Sequence, residues 1–122
     1  MAIPVWRGKG VAVTGLANVT PQFPTAVQAG DLMLLVVETT SGEAVAAPAG
    51  WEAVTGTPVD AGATTRLSVF WRRYTGTGET PPTIVDPGNH VLALIVAFYY
   101  VNAYGSPFDA MASGYEDTSV TA

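Results

Sequence analysis

Residues 32–37 (LMLLVV) are six apolar residues in a row, opened by Gly30-Asp31 and closed by Glu38-Thr39-Thr40-Ser41. A run this short, rich in Val and Leu and bounded by turn formers, predicts a buried strand rather than a helix. Successive side chains of a strand leave on opposite sides, so Leu32, Leu34 and Val36 share one face and Met33, Leu35 and Val37 the other. A strand packed on one side alone alternates apolar with polar residues. This one does not, which predicts cover on both faces, with Leu32, Leu34 and Val36 in the core.

Composition extends the same reading to the whole chain. At 122 residues it is long enough for one domain with a real core, and it is 48% apolar but only 12% charged. Thirteen Gly and nine Pro punctuate it, as turns punctuate an all-β domain. A net charge of −5, with Arg72-Arg73 and nearby Arg66 as the one basic cluster, gives no patch for neutralising phosphates and argues against nucleic acid. With no cysteine there is neither disulfide nor thiol chemistry. The opening MAIPVWRGKG lacks the basic-then-apolar pattern of an export signal, and the longest apolar run, residues 91–101, is too short to span a bilayer. A soluble chain without a membrane partner is expected, and the Asn18-Val19-Thr20 sequon is read as chance.

Along the chain, residues 1–29 read as an extended N-terminal arm or edge segment. Pro4, Pro21 and Pro24 and several glycines forbid a long central strand there, leaving a short strand at 10–14 and one helical turn at 24–29. Trp6 and Phe23 are its large anchors, expected to tie it to a neighbouring subunit. Strands are predicted at 30–41, 51–55, 64–74, 83–85, 90–100 and 118–121, separated by Gly/Pro/Asp turns. In 64–74, Leu67, Val69 and Trp71 are expected to face the core and Arg66, Ser68 and Arg72 to face out, with Phe70 breaking the alternation. Six or seven strands without a convincing helix predict an antiparallel β-sandwich, jelly-roll-like, over residues 30–122.

Chemistry is sparse. His90 is the only histidine, in the turn Asp86-Pro87-Gly88-Asn89-His90, and it has no companion at a metal-ligand spacing. No serine sits in a nucleophile-elbow context. Asp31, Glu38, Glu52, Asp60, Asp86 and Asp109 supply carboxylates, but most lie in turns where such groups are ordinary. Glu38 is expected to form an ion pair with Arg66 or Arg72. No catalytic, metal or cofactor site is predicted. Trp and Tyr also stack on sugars, which makes the aromatic residues a candidate platform, yet Trp51 and Trp71 fall on positions expected to face the core. Phe70, Tyr99 and Tyr100 are the aromatics expected at the surface, and with Trp6 and Phe23 they form the predicted interface set.

The segments Ala47-Pro48-Ala49-Gly50-Trp51, Arg66-Leu67-Ser68-Val69-Phe70-Trp71-Arg72 and Pro107-Phe108-Asp109-Ala110, with GDLMLLVVE and Asp86-Pro87-Gly88-Asn89-His90, carry a resemblance. Over residues 30–121 the chain resembles a β-sandwich module of tailed-bacteriophage virion proteins, including minor tail proteins. It departs from that pattern at Tyr99-Tyr100, where related modules have Arg-Gly, and in stopping at Ala122 where they run on. The resemblance implies a non-enzymatic structural part of the virion, assembled in the host cytoplasm, at the tail, a fibre or as capsid decoration. It also implies other virion proteins and copies of itself as partners, and a sandwich completed by a partner chain or by further C-terminal sequence. The alternative is a carbohydrate-binding module for host-surface glycans.

Overall fold

The computed structural model describes residues 3–85 and 90–99. They contain seven strands and no helix: β1 (Val5–Lys9), β2 (Val13–Gly15), β3 (Leu32–Thr40), β4 (Glu52–Ala53), β5 (Val59–Ala61), β6 (Thr65–Arg73) and β7 (Val91–Tyr99). The apolar run is β3, and it lies at the centre. β6 and β7 pair with it on either side, antiparallel and in unbroken register, from Leu32↔Arg73 to Thr40↔Thr65 and from Leu32↔Phe98 to Thr39↔Val91. The sheet runs β1-β7-β3-β6-β4, with β2 also on β7 and β5 also on β6.

The two faces of this sheet are unlike. On the inner face Met33, Leu35, Val37, Ser68, Phe70, Val91, Ala93, Ile95 and Ala97 are buried. Val19, Trp51 and Ile84 join them from outside the long strands, with Phe23, Val27, Val45 and Tyr74 packed around the margin. Val19 and Ile84 exchange two backbone hydrogen bonds, which clip the segment before β3 to the one before β7. Each large aliphatic side chain buried here contributes on the order of 1.5–3 kcal/mol. This face holds the fold together.

On the outer face the same strands present Leu34, Val36, Val69, Trp71, Leu92, Leu94, Val96 and Phe98, all only half-buried, and Leu67, which is 40% exposed. The expected facing of the central strands is therefore corrected. Leu32 is buried as expected, but Leu34 and Val36 are not in the packed core, whereas Met33, Leu35 and Val37 are. In β6 it is Ser68 and Phe70 that point inward, and Leu67, Val69 and Trp71 that point out. Phe70 breaks the expected alternation because it lies on the packed side of β6. Small residues mark the packed side: Ala93 and Ala97 let covering segments approach β7, while its bulkier Leu92, Leu94 and Phe98 lie opposite.

Residues 3–29 are an edge of this sheet. β1 and β2 both pair with β7, and the register slips between Trp6 and Gly8, a bulge that sets Arg7 out of the alternation. The large side chains of the stretch find pockets within the chain: Val19, Pro21 and Pro24 are buried, and Phe23 meets Tyr74 edge to face at 5.4 Å. No helical turn forms at 24–29, where Val27 N–H donates to Pro24 O in a simple turn. Gly10 makes the close approach possible, because a Cβ there would collide with the carbonyl of Gln22. The strand predicted at 83–85 reduces to a single bridge at Ile84, and that at 118–121 lies outside the described residues.

Candidate functional site

Several charged groups of the described residues are held in local pairs. Arg7, set aside by the bulge in β1, donates to both oxygens of Asp31 at 2.8 and 3.1 Å, and Gln28 N–H adds a third bond at 2.9 Å. Burial pushes the Asp31 carboxyl up, but the Arg7 hydrogen bonds, the Gln28 amide and the Arg7 charge together hold it below the usual carboxylate range. Gly30 N–H donates to Tyr74 O and Tyr74 N–H to Asp31 O, so this clamp fastens β1, the start of β3 and the exit of β6 at one point. Glu79 repeats the arrangement. It accepts from Arg72 and from the amide and hydroxyl of Thr75, and these outweigh its burial to lower its pKa. Asp60 is held low by Arg66, at 2.7 and 2.9 Å.

Lowered carboxyl pKa values suit structural anions and not a general acid, which needs the opposite shift. Glu38 does meet a basic side chain, but it is His90, with Nε2 2.7 Å from Oε2, and not Arg66 or Arg72. Those arginines are drawn to Asp60 and Glu79 on the inner side of β6. Among the described residues no three His, Cys, Asp or Glu side chains come together as a metal site. Asp86 and Asp109 lie outside the described residues.

An open cleft of about 680 Å³ lies beside this region, lined by Pro48, Trp51, Arg72, Thr75, Glu79 and Thr83 among others. Its charged groups are the Arg72–Glu79 pair, and Arg72 also donates to Gly50 O. Gly50 has φ +83°, a backbone conformation that other residues rarely adopt. Trp51 is 7% exposed and offers no ring face to a sugar. The Pro-Ala-Gly-Trp turn thus delivers a core residue.

The predicted interface aromatics separate. Trp6 is 53% exposed and stands edge-on to Phe98 at 5.5 Å on the outer face. Phe70, expected at the surface, is 4% exposed within the core, because its side chain falls on the packed parity of β6. Phe23 is half-buried against Tyr74, and Tyr99 lies under the Arg7 guanidinium at 4.2 Å. Tyr100 lies outside the described residues.

What the structure brings together is a surface that no single motif announced. Register places the outer side chains in rows across the sheet: Trp6–Phe98–Leu32–Arg73, then Lys9–Val96–Leu34–Trp71–Glu52, then Leu94–Val36–Val69, then Leu92–Glu38–Leu67. Charge is confined to its margins and to Glu38 near one end of β3. Such a face has the makeup of an association surface, apolar at the centre and polar at the rim. The rows could be found in the sequence only after the parity of β3 was known. No family model, curated protein or solved structure matches the chain.

Proposed function

We propose that this chain is a non-enzymatic structural component of a tailed-phage particle, a minor tail or capsid decoration protein, that works by packing its subunits against others. The observation that carries this reading is the outer face of the sheet. Three nine-residue strands place contiguous apolar side chains there, while the carboxylates with shifted pKa values are locked in ion pairs that fasten the fold. A surface of this kind associates; it does not transform a substrate. The sheet is one layer of an antiparallel β-sandwich of jelly-roll type, and a partner chain or C-terminal sequence supplies the other. The resemblance of residues 30–121 to virion modules gives the assembly its setting.

Gold-labelled antibody to the chain, imaged on intact particles, should mark one fixed location on tail, fibre or capsid. Particles that lack the chain would overturn the reading. A second reading, a carbohydrate-binding module for host-surface glycans, is favoured by Trp6, Phe98 and Trp71 on one face. Binding of immobilised glycans, lost on Trp6→Ala with the fold unchanged, would support it.

A further inference from the structure

We infer that the partner of the outer face is a second copy of this chain, stacked face to face about a two-fold axis that runs along β3. This rests on the reading of the chain as an assembly protein, and it names the partner and the geometry. A symmetric contact must be self-complementary, each patch meeting its own rotated image. Rotation about an axis along β3 reverses the order of strands, so β1 of one copy lies over β4 of the other. Residues of one row stay in one row.

The row through Leu34 then decides the matter. It reads Lys9, Val96, Leu34, Trp71, Glu52, with a cation on one edge of the sheet and an anion on the other, each two strands from β3. The rotation lays Lys9 of each copy over Glu52 of the other, two opposite-charge pairs flanking an apolar centre. In the next row the exposed Trp6 of one copy comes beside Arg73 of the other, which suits a cation over an indole. An axis across the strands instead sets Lys9 over the far end of the same edge, where register offers Thr14 and no acid. Charge therefore selects one of the two stackings.

Size agrees. Three nine-residue strands at about 3.3 Å per residue, with short edge strands on either side at about 4.8 Å, give a face of at most roughly 30 by 20 Å. Side-chain relief raises that plan area toward the roughly 800 Å² per partner of a stable interface. Glu38, the one acid on the outer side of β3, is held by His90. The axis lays it opposite its own image near the strand end, each copy beside its own His90.

The chain has a single lysine, Lys9, which makes the test sharp. Within one copy Lys9 and Glu52 are four strand spacings apart, roughly 19 Å, beyond any zero-length cross-link. Carbodiimide treatment of the full chain should give a species of twice the mass containing a Lys9–Glu52 peptide. Lys9→Glu or Glu52→Lys alone should weaken association about tenfold, since each reversal turns two rim attractions into repulsions. The double reversal should restore it to within about threefold. Both positions are exposed, so the variants fold as the parent does. A chain that stays monomeric at about 100 μM, far above the Kd of a stable interface, would overturn the inference. So would a dimer without the Lys9–Glu52 link that ignores both reversals. A linked dimer absent from virus particles would keep the pairing and remove the virion reading.

Discussion

Leu34 and Leu35 are adjacent residues of one strand, flanked by the same two neighbours, and they do different work. Leu35 is fully buried among Met33, Val37, Phe70 and Ile95; Leu34 is half-exposed in a row with Val96 and Trp71. Both sets of side chains are apolar, so hydropathy does not separate them. What separates them is cover. The segments before β3 and around Trp51 and Ile84 pack on the inner face, with buried Pro21 and Pro24 close beside. One face of a sheet can therefore finish the fold of a chain while the other, equally apolar, stays open.

The largest effect that sharpens this contrast is the pair of truncations at these two leucines. Leu35→Ala should cost about 2–5 kcal/mol in urea unfolding of dilute protein, and Leu34→Ala only about 1 kcal/mol. Equal costs would erase the distinction between the faces. Next comes the clamp that closes the inner side. Asp31→Asn leaves Arg7 without its carboxylate and should cost about 1–3 kcal/mol, measured the same way.

A smaller, pH-dependent effect follows from Asp31 and Glu79 together. Both carboxyls are held below their ordinary range in the folded chain, so on acidification the unfolded chain takes up protons first. Their stabilisation is present above the unfolded pKa, about 4, and is lost as pH falls through the folded values. Unfolding midpoints followed from pH 6 downward (in buffers around the ~4 of a free carboxyl) should fall, and Asp31→Asn with Glu79→Gln should flatten the slope. Smallest is Trp6→Ala, whose ring is largely exposed. It should leave dilute stability within about 0.5 kcal/mol while weakening association.

Much of the sheet was legible in residue order. The run at 32–37 is the central strand, and the apolar stretches after Thr64 and His90 are its two neighbours, because length, flanking turn residues and branched side chains all agree. Parity was not legible. When both sides of a strand are apolar, the period of two carries no sign, and in β6 the regular Leu67, Val69, Trp71 series points away from the packed face. The sign lay in Ser68, Ala93 and Ala97, small residues that mark where other segments approach. The edge strands were half-legible: proline and glycine spacing ruled out a central strand, but nothing local showed that β7 would take up residues 5–9 and 13–15. The Arg7–Asp31 clamp joins residues 24 apart in sequence and depends on a bulge, which no motif encodes.

The measurement that bears most directly on the division of labour between the faces is the thermal midpoint as a function of protein concentration. Association of folded copies stabilises them by mass action, so the midpoint of the parent chain should climb with concentration. That of Val36→Lys, with a charge at the centre of the outer face, should start close to the parent's dilute value and stay level. A parent midpoint that does not move with concentration would contradict the account.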